Sequence, residues 1–220
     1  MFFLKKLFFK LNLNGKINQK KEQLKYDDYF QKRGHLGSDI GLRFAVPKIH
    51  DFFNQDSETV LDVGCGGAHA IMALQKLGWT AKGTDISKWL INNPLRELKE
   101  KGIVFCAPAS NLPFPDNSFD VAMSTEVMEH LPEKEVEDAI KEMARVAKKH
   151  LFLTINFCPS SSKNPLEYHL TIKPRVWWEK RFEKFNLRKR SDILNQIQNK
   201  DLHETGGRKI AVEYFVYDKV

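Results

Sequence analysis

Asp62, Gly64, Gly66 and Asp85 are the residues whose types and spacing first point to chemistry. Thr59-Val60-Leu61 is a β-favouring run that ends in Asp62, and Gly64, Gly66 and Gly67 follow directly. From Ala68 onward the apolar residues Ile71, Leu74 and Leu77 fall at helical spacing, and Gly78 stops the helix. Ala81–Ile86 reads as a second strand with Asp85 near its end. A strand, a glycine turn, a helix and an acid-tipped strand bind a nucleotide-like ligand across the strand ends of an α/β sheet. The glycines let the backbone come close, and the carboxylate accepts hydrogen bonds from ribose hydroxyls.

The details of the turn select among ligands. A dinucleotide fold needs G-x-G-x-x-G, but His69 stands where the third glycine belongs, and Asp62 would repel a pyrophosphate. The same Asp62 suits the cationic end of a methionine moiety. D-x-G-x-G at Asp62–Gly66, followed by Asp85, resembles the first motifs of class I S-adenosylmethionine (SAM) methyltransferases; the third small residue of that pattern falls at Ala68, where glycine is commoner. Asn111–Asp120 closely resembles the LPFPDNSFD segment of one broad group of these enzymes, and Thr125–Leu131 resembles its EVLEH segment, which lines the active site. The resemblance is strong over residues 55–155 and holds elsewhere only in outline.

That resemblance implies an α/β fold, a Rossmann-like three-layer sandwich with a seven-stranded, mostly parallel sheet and an antiparallel last strand. It implies SAM as cofactor, with contacts from Asp62, Gly64, Gly66, Asp85 and Ile86. The family's adenine-binding Asp is replaced by Pro108, so that contact is expected from Ser110, Asn111 or Leu112, or from backbone groups. Tyr29 and Arg33, on an aromatic-rich N-terminal helix, are expected at the methionine carboxylate.

Methyl transfer from a sulfonium needs a positioned acceptor and a dry site, and a base only where the acceptor must lose a proton. His130 is the first candidate base and His169 the second, with Glu126 or Glu129 orienting either ring or one of them contacting the cofactor. No paired-histidine or carboxylate spacing suggests a metal, so none is expected. The expected function is SAM-dependent methylation of a small-molecule, sugar-like or lipid-linked acceptor, at oxygen. The competing readings are a non-catalytic SAM-binding protein and an NAD-dependent oxidoreductase. No Asn-Pro-Pro-Tyr-type motif follows the fourth strand, which lowers amino-directed nucleic-acid chemistry.

The elements that position these residues must come from 220 residues, enough for one domain with a substantial core. The net charge of +7 is concentrated: residues 1–25 carry seven lysines against one glutamate, residues 173–190 eight basic against two acidic residues. Two segments of +6 each leave −5 for the rest, which is not the continuous basic face of a nucleic-acid enzyme. Cys65, Cys106 and Cys158 show neither metal nor disulfide spacing, and read as reduced and buried in a cytoplasmic protein.

Residues 1–25 are expected to form a basic amphipathic segment ahead of a methyltransferase domain over 26–220. Phe3, Leu4, Leu7, Phe8 and Leu11 share a helical face among lysines, a pattern that packs on a protein body or lies peripherally on the inner membrane surface. Residues 14–25 read as a polar link. Helices are expected over 26–33, over 40–53, after Pro132 up to Lys148-Lys149-His150, and after Pro174. The later strands are expected at 103–106, 121–124, 151–155, 186–193 and, from its alternation, 209–217.

Overall fold

The computed structural model describes residues 19–32, 39–159, 168–197, 201–205 and 208–220. Helix α1 spans 19–32. A π-helical turn, Gly41–Ala45, leads into α2 (Val46–Phe53); the Val46 N–H still bonds the Gly41 carbonyl, and Pro47, which has no N–H to give, sits where the wider turn passes into the α-helix. The central unit is β1 (Thr59–Val63), α3 (His69–Lys76), β2 (Thr80–Asp85), α4 (Lys88–Asn92), α5 (Arg96–Glu100) and β3 (Val104–Cys106). It continues through β4 (Phe119–Thr125), a 3-10 turn at Met128–His130, α6 (Glu133–Val146) and β5 (Ala147–Thr154). Beyond these come α7 (Arg175–Phe182), β6 (Leu187–Lys189), α8 (Ser191–Ile197), β7 (Leu202–Thr205), β8 (Arg208–Ala211) and β9 (Tyr214–Lys219).

Seven strands form one sheet in the order β3-β2-β1-β4-β5-β9-β6. The first five are parallel, and β9 runs antiparallel to both of its neighbours. The expected three-layer, seven-stranded architecture is therefore present. β1 shows why: Val60 packs with α2 and α3 on one face while Leu61 and Val63 pack with α6 on the other, so the strand is apolar throughout. The strand order reverses between β1 and β4, which opens a crevice at their carboxyl ends.

Several elements differ from expectation. Residues 19–25 are not a link but the first turns of α1, which runs on without interruption past residue 25. Lys148-Lys149-His150 does not end α6; Ala147 already has extended backbone, and all three belong to β5. His150 stacks on Phe53 with ring centroids 4.4 Å apart, and its Nδ1 lies 2.8 Å from Asp218, so it is a packed strand residue. The strand expected over 186–193 is confined to Leu187–Lys189, and α8 begins at Ser191. The alternating run 209–217 is split: β8 pairs with β7 in a separate two-stranded sheet, and only β9 enters the main one. Cys65 is buried, but Cys106 is exposed and Cys158 half-buried. Residues 1–13 lie outside the described residues, and among the described residues no helix is long and apolar enough to cross a membrane.

Candidate active site

The glycine turn after β1 is built by backbone contacts. The N–H groups of Gly64 and Cys65 both donate to the Thr84 carbonyl, at 2.8 and 2.9 Å, which ties the turn to β2. Gly64 has φ +81°, and a Cβ there would stand 2.4 Å from Cγ2 of Val127. Only glycine satisfies both limits. Asp85 closes the turn: Oδ2 accepts from the Gly66 N–H at 3.1 Å and Oδ1 from the Ser87 N–H at 2.8 Å. Burial raises the Asp85 carboxyl to about 6, with those two N–H groups pulling the other way. Asp62 is raised to about 7, first by burial and then by the charge of Asp85, and its Oδ1 is buried without a hydrogen-bond partner. Two carboxylates facing one cavity, one with an orphaned oxygen, suit a ligand that brings hydroxyls and positive charge.

α1 forms the roof. Asp27 Oδ1 accepts from Ser87 Oγ at 2.6 Å and from the Trp89 N–H at 2.7 Å, fixing the helix to the start of α4. Tyr26 and Tyr29 pack edge-on against Tyr168, with centroids 6.3 and 5.4 Å apart. The Tyr26 hydroxyl lies 2.8 Å from His130 Nδ1, so α1 also touches the turn after β4. The cavity beneath it has a volume of about 370 Å³ and runs from Asp62 and Asp85 to Glu126, His130 and His169. That is the size of a small-molecule site.

At the far end of the cavity, Glu126 sits in the left-handed region with φ +55°, where a side-chain-bearing residue is strained, and its Oε2 accepts from Asn156 Nδ2 at 2.9 Å. Its carboxyl is raised to about 7 by burial, although Asn156 opposes this. Glu129 is fully buried and raised well above the usual carboxylate range, first by burial and then by the charge of Glu126. The His130 and His169 rings meet edge to face at 4.7 Å. Burial lowers His130 to about 3, with His169 and Lys25 adding to it, so this imidazole is neutral. Its remaining open surface faces the cavity. His169 is also lowered, by burial. His169 Nδ1 lies 2.5 Å from the Cys158 carbonyl oxygen; a carbonyl only accepts, so Nδ1 carries the proton and Nε2 holds the lone pair.

Residues 61–154 match the family described as "Methyltransferase domain". Over that stretch the chain is similar to methyltransferases. It is 33% identical over 115 residues to norajmaline N-methyltransferase of Rauvolfia serpentina, covering 50% of this chain and 38% of that protein. It is 29% identical over 161 residues to the ubiquinone biosynthesis O-methyltransferase of Coxiella burnetii, covering 66% of each. The chain spans 34 to 44% of the length of the first curated relatives it matches. In fold it is similar to magnesium protoporphyrin IX methyltransferase of Synechocystis PCC 6803, solved with bound SAM, at a TM-score of 0.60 and 16% identity, over 90% of this chain and 97% of that one.

The fold brings most of the expected cofactor residues to one cavity: Asp62, Gly64, Gly66, Asp85, Ile86 and Tyr29 all line it, as do Glu126, His130 and His169 at the other end. The fit to SAM is chemical: two buried carboxylates meet a ligand with ribose hydroxyls, an ammonium and a sulfonium. Ser110, Asn111 and Leu112 do not line the cavity. Ser110 accepts from Gln19 Nε2 at 3.1 Å, the Leu112 N–H donates to Glu142, and the Leu112 side chain is in the core. The wall at this point is Ala107, Pro108 and Ala109 instead. Arg33 lies outside the described residues. Sequence reading missed Asp27, whose role depends on α1 crossing α4, and Asn156, which follows β5 and reaches back to Glu126.

Proposed function

We propose that this protein methylates a small-molecule acceptor at oxygen. The observation that carries the proposal is the continuity of one roofed cavity from the Asp62–Asp85 end to a pair of neutral imidazoles. SAM supplies the electrophilic methyl group when bound. Asp85 would accept hydrogen bonds from the ribose hydroxyls, since both its oxygens are already oriented by backbone N–H groups. Asp62 would balance the cationic end of the cofactor with its unpartnered oxygen. The Tyr26, Tyr29 and Tyr168 rings exclude water and offer flat apolar faces to an acceptor. His169 Nε2 is the available proton acceptor, whereas His130 is the weaker base because desolvation and the neighbouring His169 and Lys25 hold it lowest. The relatives include both nitrogen- and oxygen-directed enzymes, so oxygen rests on the neutral imidazole base at the acceptor end, and a sugar-like or lipid-linked acceptor is the wider form of the same reading.

Two measurements test it. Calorimetry with SAM, S-adenosylhomocysteine and NAD should show binding of the first two only. Radiolabelled methyl transfer to a panel of hydroxylated and aminated small molecules should label hydroxyl compounds. Labelling confined to amines would overturn the oxygen reading, and NAD binding without SAM binding would overturn the whole.

A further inference from the structure

We propose that Glu129, His130 and His169 form a divalent-cation site at the acceptor end of the cavity. One ligand atom from each residue lies within 4.8 Å of the others. Metal–ligand bonds of ~2.1 Å put tetrahedral neighbours roughly 3.4 Å apart, so side-chain rotations of about 1 Å close the set. The residues come from separate places: Glu129 and His130 from the 3-10 turn after β4, His169 from the segment before α7.

A second observation points to a cation independently. Both carboxylate oxygens of Glu129 are buried without a hydrogen-bond partner. The backbone N–H groups of Glu129 and Asn156 come near without forming a hydrogen bond of ordinary geometry. A buried carboxylate left this way is costly unless it keeps its proton or a positive charge joins it, and a cation satisfies both orphaned oxygens at once. No Lys or Arg forms an ion pair with Glu129 among the described residues. The outer contacts of the two rings also fit. His169 Nδ1–H donates to the Cys158 carbonyl, and His130 Nδ1 faces the Tyr26 hydroxyl, which can accept from it. Each ring then presents Nε2, the arrangement in which an oxygen behind an imidazole fixes its tautomer for a metal. The His130 ring also faces the Tyr168 backbone carbonyl, a contact that loading would exchange for the cation.

Two imidazoles and one carboxylate select a borderline first-row ion such as Zn²⁺, Fe²⁺ or Co²⁺ over Mg²⁺ or Ca²⁺. Three protein ligands leave a position open, and His130 and His169 line the cavity, so that position faces the acceptor. A cation there would bind the acceptor hydroxyl and lower its pKa; with His169 Nε2 then a ligand instead of a base, the proton would pass to the Glu126 carboxylate in the same cavity. This last step rests on the oxygen-methylation reading; the cation site itself does not.

The test uses the full chain stripped with chelator and titrated with Co²⁺, whose visible absorption reports nitrogen and oxygen ligands. One equivalent with a d–d band is expected, competed by Zn²⁺. His169→Ala and Glu129→Gln should each weaken binding at least tenfold while SAM titration shows the fold intact. The wild-type titration stands even if Glu129→Gln fails to fold. Absence of a Co²⁺ band in the wild type, or a band of equal strength in folded His169→Ala, would overturn the site. Equal methyl transfer with and without Zn²⁺ would overturn coordination of the acceptor, and SAM binding read separately distinguishes that from failure of the methyltransferase reading.

Discussion

Asp62→Asn should stabilise the ligand-free protein at alkaline pH while weakening its response to SAM. The Asp62 carboxyl is raised from 3.8 to about 7 by burial and by Asp85. In the unfolded chain it ionises near its ordinary value, so between about 4 and about 7 the folded state holds the extra proton. Stability therefore falls as pH rises through that window. The loss is absent below the unfolded pKa and complete above the folded one. At about 1.4 kcal/mol per pH unit, the ionised Asp62 costs roughly 4 kcal/mol at pH 8. Asn removes the charge but leaves a buried amide short of partners, at about 1–3 kcal/mol. The net gain is then about 1–3 kcal/mol, or several degrees in Tm for a chain of this size, at ~2–4 °C per kcal/mol. Thermal unfolding of both proteins from pH 5 to pH 8 reads this directly. The gap in Tm should open with pH, reversing in sign or vanishing near pH 5. Added SAM should raise the wild-type Tm more than that of the variant at pH 8. A gap that does not change with pH, or an Asn variant less stable at pH 8, would refute the reasoning.

Asp85→Asn should weaken SAM affinity by about 2–3 kcal/mol, roughly 30- to 150-fold, since charged hydrogen bonds contribute ~1.5–3 kcal/mol each and do not add fully; calorimetry at pH 8 showing unchanged affinity would remove the ribose assignment. Gly64→Ala combines a left-handed backbone cost of ~1–2 kcal/mol with a Cβ driven into Val127, at ~1–3 kcal/mol. Urea unfolding should show both losses, and adding Val127→Ala should recover only the second; full recovery would mean the φ of +81° carries no strain.

The β1–α3–β2 unit was legible because its signals are local: glycines, an acid and a helical apolar period within one stretch. The cavity end at Asp62 and Asp85 follows from the same stretch. What the sequence concealed depends on neighbours far along the chain. Lys148-Lys149-His150 has the composition of a helix end, yet pairing with β4 and β9 makes it strand, with His150 opposite Val121 and Asp218. No glycine or proline marks the break between β8 and β9, so alternation alone merges them. Residues 19–25 look like a polar link, and they are helical in continuity with a turn that packs Tyr26, Tyr29 and Phe30 under the roof. The Glu129–His130–His169 group has no readable spacing because the two histidines meet only through the fold.

The position of β9 has a consequence for the order of assembly. β6 is three residues long and bonds to β9 alone, and β9 separates it from β5. Until residues 214–219 are in place, β5 presents an open edge and β6 has nothing to join. Loss of that one strand therefore removes two from the sheet and uncovers Phe152, Leu151 and Leu153, all fully buried in the finished protein. A nascent chain halted before β9 would carry an intact glycine turn beside a sticky sheet edge, and it would be recognised by chaperones and proteases before it could serve as a catalyst.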